Sequence, residues 1–187
     1  MGLFIGLCLA IAVIAVLLFI LRKATISNAQ KENQLKCEVF EQDVIATGFK
    51  IEKRIERLET STLFFVDDSS KKWTATTFQN SYSIFSYDNL LNYEIIENNE
   101  SIATATLDAI VLGGAYQTDK NITSVCSMMQ IHISVDNLQS PSLTIPIITV
   151  PVKKDSSYYA KALKDAHEIA STLSYILAHK NSLAKQE

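Results

Sequence analysis

Residue types capable of chemistry are present in this chain, but their spacing does not assemble them. The three histidines, His132, His167 and His179, are far from one another or on the polar side of their elements. A base or a metal ligand needs partners at fixed geometry, and no local pattern supplies them. The doublet Asp67-Asp68 has the right type for a shared-proton carboxylate pair. Adjacent residues on a strand point to opposite faces, however, so turn formation with Ser69-Ser70 is the expected use. Cys8, Cys37 and Cys126 form an odd, sparse set with no Cys-x-x-Cys, and there is no His-Glu-x-x-His and no phosphate-cradling glycine loop. No catalytic residue, metal or cofactor is therefore expected. Lys50, Lys53, Arg54, Arg57, Lys71 and Lys72 are the candidate lipid-facing residues, although Glu52, Glu56 and Glu59 interleave with them and cancel much of their field. Phe64, Phe65, Trp73, Tyr82, Phe85, Tyr87 and Tyr93 are the aromatic set, and in alternating strands such residues belong to a core.

What would hold these residues is one domain behind an anchor. Residues 2–21 carry no charge, and at about 1.5 Å per helical residue such a run crosses the roughly 30 Å hydrocarbon layer. A cleaved signal peptide would need a basic stretch before the apolar run and small residues after it, and neither is present. Position 6 is Gly6 where a myristoylation signal has Ser or Thr. Arg22, Lys23 and Lys31 flank the run on its C-terminal side, so the positive-inside tendency predicts a single-pass protein of the cell membrane, its N-terminus outside and its C-terminal domain cytoplasmic. On that side the triplets Asn99-Glu100-Ser101 and Asn121-Ile122-Thr123 would not be glycosylated. Lys and Arg number 17 against 20 Asp and Glu, a net charge of -3 that falls wholly outside the span. A mildly acidic domain of mixed charge excludes the basic footprint of a nucleic-acid binder.

Residues 22–47 read as a juxtamembrane connector, helical behind a Ser27 cap, with Leu35, Val39 and Val44 as a thin apolar stripe. A solvated stalk is expected, a short dimerising coiled coil being the alternative. Cys37 should then be open to thiol reagents. Thr47-Gly48 breaks the helix, and residues 48–180 form the domain. Phe49 and Ile51 alternate as in a strand. STLFFVDDSSKKWTATTF predicts a hairpin with its polar turn at Asp67 to Ser70. SIFSYDNLLNYEIIE predicts a short strand, one helical turn capped by Ser86 and a further strand, with a turn at Asn98 to Glu100. Met129, Ile131, Ile133 and Val135 alternate with polar residues as a half-buried strand does. Pro141, Pro146 and Pro151 confine the next strand to an edge. From Asp155 the period changes to that of an amphipathic helix. Tyr159, Ala162, Leu163, Ala166, Ile169, Leu173, Ile176 and Leu177 form its apolar stripe, opposite Lys161, Lys164, Asp165, Glu168 and Thr172. Residues 181–187 are a polar tail.

Five segments in order, LFFVDDSSKKW, IFSYDNLLNYEII, a Gly-Gly segment, SMMQIHISVDNLQSPSLTIPII and KDSSYYAKALKDAHEIASTLSYIL, resemble an uncharacterised bacterial domain family associated with SHOCT oligomerisation segments. The aromatic-x-Asp-hydrophobic phrase within them is similar to bacterial pleckstrin-homology-like domains. The resemblance spans about residues 61–178 and implies an α+β fold, a mainly antiparallel sheet or open barrel capped by the C-terminal helix. It supplies no activity. Residues 104–122 depart from it, holding only LDAIVLGGAYQTDKN where the family has a longer glycine-rich hairpin.

The functional expectation is a membrane-tethered, non-enzymatic interaction module at the inner membrane surface that binds a protein partner or a lipid head group. A homo-oligomer is compatible with it, nucleic acid is not. The rival is a pilin-like structural or secretion subunit with its domain outside. Such subunits have a basic leader and a Glu near the start of the span, and this chain has neither.

Overall fold

The computed structural model describes residues 31–76, 83–106, 109–111 and 124–180, with only the backbone of 105, 106 and 109–111. The expected span 2–21, the tail 181–187 and nearly all of 104–122 lie outside the described residues. Among the described residues no helix is long and apolar enough to cross a membrane.

The architecture is α+β, with antiparallel sheets and a C-terminal helix. A helix α1 covers 31–46 and ends at Thr47 and Gly48, where Gly48 takes φ +84° and its N–H bonds the Ile45 carbonyl at 2.9 Å. The first sheet has the order β1 (Lys53–Arg57), β2 (Thr62–Asp67), β3 (Lys72–Ala75) and β4 (Phe85–Ser86). A one-turn 3-10 helix, Tyr87–Asn89, then redirects the chain. Its Ser86 hydroxyl accepts from the Asp88 N–H, and the Asn89 side chain accepts from the Ser86 N–H, a reciprocal cap.

The second sheet follows, with the spatial order β10 (Ser142–Ile148), β9 (Met129–Val135), β5 (Leu90–Glu97), β6 (Glu100–Thr106) and β7 (Ala109–Val111). A small pair joins β8 (Val125–Cys126) to β11 (Val152–Lys153). The expected alternation in β9 holds, with Met129, Ile131, Ile133 and Val135 buried. Pro146 sits on edge strand β10 beside a register shift, as a residue without an N–H must. The first and second sheets meet where the Thr62 hydroxyl donates to the Pro146 carbonyl at 2.7 Å.

Helix α2 (Ser157–His179) closes the main core, capped by the Ser156 hydroxyl, which accepts from the Tyr159 N–H at 3.2 Å. Ala162, Ala166, Ile169, Leu173, Ile176 and Leu177 are buried on Trp73, Phe85, Ile95, Ile131 and their neighbours. Thr172, expected on the polar side, is buried too. Its hydroxyl donates to the Glu168 carbonyl at 2.8 Å, so the helix satisfies it internally.

All six residues of β2 are buried, because this strand is covered on both sides. Phe64 and Val66 face the main core and α2, whereas Leu63 and Phe65 face a second cluster made with Cys37, Phe40, Val44 and Phe49. This corrects the solvated-stalk expectation for 31–46. The helix packs on the outer face of the first sheet, with Phe40 and Phe65 ring centroids 5.4 Å apart. The docked stripe is Cys37, Phe40 and Val44, while Leu35 and Val39 point away from the domain.

Candidate functional site

The six candidate basic residues start from β1 and the β2–β3 turn, and strand alternation distributes them. Arg54 points towards α1 and bonds Glu41 and Glu56, at 2.5 and 2.7 Å. Lys53 and Arg57 point the other way, towards α2, Lys53 lying 3.9 Å from Glu168. Arg57 is only 1% exposed and pairs with Asp165 at 2.7 Å, so as a lipid-facing residue it is corrected: a guanidinium inside the domain cannot reach a head group. Lys50 pairs with Glu52 and Lys71 with Asp68, while Lys72 is exposed. Five of the six therefore have a carboxylate within ion-pair distance, and the fold does not gather them into one basic surface.

The acidic doublet separates as expected of strand neighbours, but Asp67 is the buried last residue of β2 rather than part of the turn. Its carboxylate accepts from the Lys50 and Ser70 N–H groups, each at 2.9 Å, tying the post-α1 chain to the turn. Asp68 instead faces α2, accepting from Lys71 at 2.8 Å, the Tyr87 hydroxyl at 3.0 Å and the Tyr175 hydroxyl at 3.3 Å. The Lys71 bond, followed by that of Tyr87, holds the Asp68 carboxyl below its ordinary value, and burial raises the Tyr87 phenol. Glu52 crosses to the same turn, accepting from the Asp68 and Ser69 N–H groups and from the Ser69 hydroxyl. These bonds, with Lys50, lower its carboxyl to about 2.

Between this turn, β1 and the second half of α2 lies a shallow cavity of about 380 Å³, lined by Glu52, Lys53, Val66, Asp68, Ser171, Thr172 and Tyr175. Its carboxylates are already satisfied by turn amides, hydroxyls and Lys71. The thiols are shielded rather than activated: burial raises Cys37 and pushes Cys126 up to about 11. His132 is half-buried against the Thr144 hydroxyl, His167 is exposed, and His179 stacks on Tyr175 with centroids 3.9 Å apart. Among the described residues no group of His, Cys, Asp and Glu could hold a metal ion. Of the aromatic set, Phe64, Phe65, Trp73, Phe85, Tyr87 and Tyr93 are core, and Tyr82 lies outside the described residues.

A buried Glu97 at the end of β5 went unnoticed in the sequence. Its carboxylate meets Lys154 at 2.6 Å and accepts from the Tyr159 hydroxyl at 3.0 Å, fastening the start of α2 to the second sheet. A Glu closing an alternating strand before a turn gives no signal of burial.

The remaining surface is on α1. Leu35 and Val39 are 61% and 51% exposed. Beside them a cavity of about 260 Å³ is lined by Leu35, Lys36, Cys37, Val39, Phe40, Asp43, Ser61 and Thr76. It is mostly apolar at its floor and charged at its lip. No family model, curated protein or solved structure matches the chain.

Proposed function

We propose that this chain is a membrane-tethered, non-enzymatic interaction module: residues 2–21 anchor it as a single-pass protein, and a pleckstrin-homology-like domain at the inner membrane surface meets a protein partner through α1. The observation that carries this reading is the two-sidedness of α1. One face, Cys37, Phe40 and Val44, is buried on the domain, and the other offers Leu35 and Val39 beside an apolar cavity. Isolated exposed apolar residues are ordinary, but two on one helix face at a concavity suit recognition. The helix is also the element nearest the anchor in the chain, so tethering would confine this face to a surface layer and raise its effective concentration. The domain type is supported by a four-stranded antiparallel sheet, a second antiparallel sheet and a closing C-terminal helix. The pairing of the candidate basic residues with carboxylates favours a protein over an anionic head group.

The test uses the full chain in native membranes with a photo-crosslinking side chain at position 35, and at position 138 as control, since Leu138 is fully exposed away from α1. Discrete protein adducts at 35 and not at 138, in a chain that resists carbonate extraction, are the expected result. Carbonate release removes the tether. Adducts to lipid alone, or none at 35, overturn the protein-partner reading.

A further inference from the structure

The exposed face of α1 carries an order of charge that specifies how it can be covered. On a helix turning about 100° per residue, Leu35, Val39 and Ala46 fall on the side opposite the docked Cys37, Phe40 and Val44. Lys36 and Asp43 flank that seam on one side, and Lys31 and Glu38 on the other, all exposed. Along each flank the lysine precedes the carboxylate. Two such helices side by side and parallel place Lys31 against Lys36, and Glu38 against Asp43, so every flanking pair repels. Reversing one helix inverts each relation. With Leu35 opposite Val39 of the other helix, Lys36 meets Asp43 and Lys31 meets Glu38, twice each across a twofold axis.

We infer that α1 is a self-pairing surface that takes the α1 of a second copy of this chain in antiparallel orientation, Leu35 against Val39 and Lys31 and Lys36 against Glu38 and Asp43. Residues Glu32 and Gln42 meet in the next layer, where an amide can donate to a carboxylate. The cavity on the Lys36 flank, with Cys37 and Phe40 on its floor and Asp43 at its lip, receives the alkyl stem of Lys36 from the second copy. Within one chain Lys36 pairs with Glu32 at 2.8 Å, both largely exposed, and a pair of that kind exchanges at little cost. A twofold axis normal to the plane of the two helices lets both chains enter the same bilayer with α1 lying along its surface. The inference deepens the interaction-module reading by naming the partner, and rests on it for α1 as the contact face.

Two differently tagged full-length chains carrying Cys8→Ser are co-expressed in membranes and oxidised with copper-phenanthroline. Leu35→Cys with Val39→Cys should cross-link at least fivefold more than Leu35→Cys with itself. Lys31→Glu with Lys36→Glu in both chains should abolish that cross-link, and adding Glu38→Lys and Asp43→Lys should restore it. A stronger Leu35→Cys self-cross-link means parallel pairing and overturns the inference, as does failure of the fourfold reversal to restore. Photo-adducts at position 35 to a different protein, without the 35–39 disulfide, overturn self-pairing while leaving the module reading intact. Absence of both removes the two together.

Discussion

The Arg57 guanidinium on β1 donates from Nη1 to the Asp165 carboxylate on α2 at 2.7 Å, joining residues 108 positions apart with the arginine almost wholly enclosed. Its Nε and Nη2 have no protein partner, and the Tyr158 ring lies 5.2 Å from its carbon. Removing one member of such a pair leaves a buried charge unpaired. Asp165→Ala should therefore cost about 3–5 kcal/mol, whereas Arg57→Met with Asp165→Leu should cost much less. Urea denaturation of the three chains measures this, and equal losses for the single and double variants would mean the pair is not enclosed.

Helix α2 offers a packing test. Leu173 is fully buried and Lys164 exposed, so Leu173→Asp should destabilise by several kcal/mol, roughly the cost of an unpaired buried charge, while Lys164→Asp should be almost silent. Comparable melting temperatures for the two would falsify the assigned face.

Acid stability should depend on Glu52. Its carboxyl is lowered from 4.5 to about 2 by Ser69 and Lys50, and Asp68 is lowered from 3.8 mainly by Lys71. A depressed folded-state value means the stabilisation is complete above the unfolded value and is lost as pH falls through the folded one. Between about pH 4.5 and 2 the melting temperature should fall, and Glu52→Gln should flatten that fall while lowering the plateau near pH 7. An unchanged acid limb in Glu52→Gln would show that the β2–β3 turn is held otherwise.

Orientation can be read by thiol labelling, but not at Cys37, which is 2% exposed and whose thiol is raised by burial. Leu138→Cys supplies an open position. A membrane-impermeant maleimide should label it only after cells are opened, and Cys37 should stay slow in both cases. Equal labelling of position 138 in intact and opened cells would place the domain outside.

Periodicity alone determined much of this protein. The alternation of Met129 to Val135, the stripe from Ala162 to Leu177, the Ser86 cap and the edge position of Pro146 are local consequences of strand and helix geometry, and each was legible without partners. A local pattern states which residues share a face, but not whether a second layer covers it. In 31–46 both Leu35 with Val39 and Cys37 with Phe40 and Val44 are apolar pairings on a helix, and only the sheet's outer face, offering Leu63 and Phe65, decided that the second set docks. In β1 the charged alternation looked like a solvated edge. The arrival of α2 from 108 residues away enclosed Arg57 and turned a candidate surface charge into a core ion pair. Asp67 and Glu97 were settled in the same way, since a carboxylate is buried only where amides, a lysine or a tyrosine hydroxyl compensate its lost hydration, and those partners come from other parts of the chain.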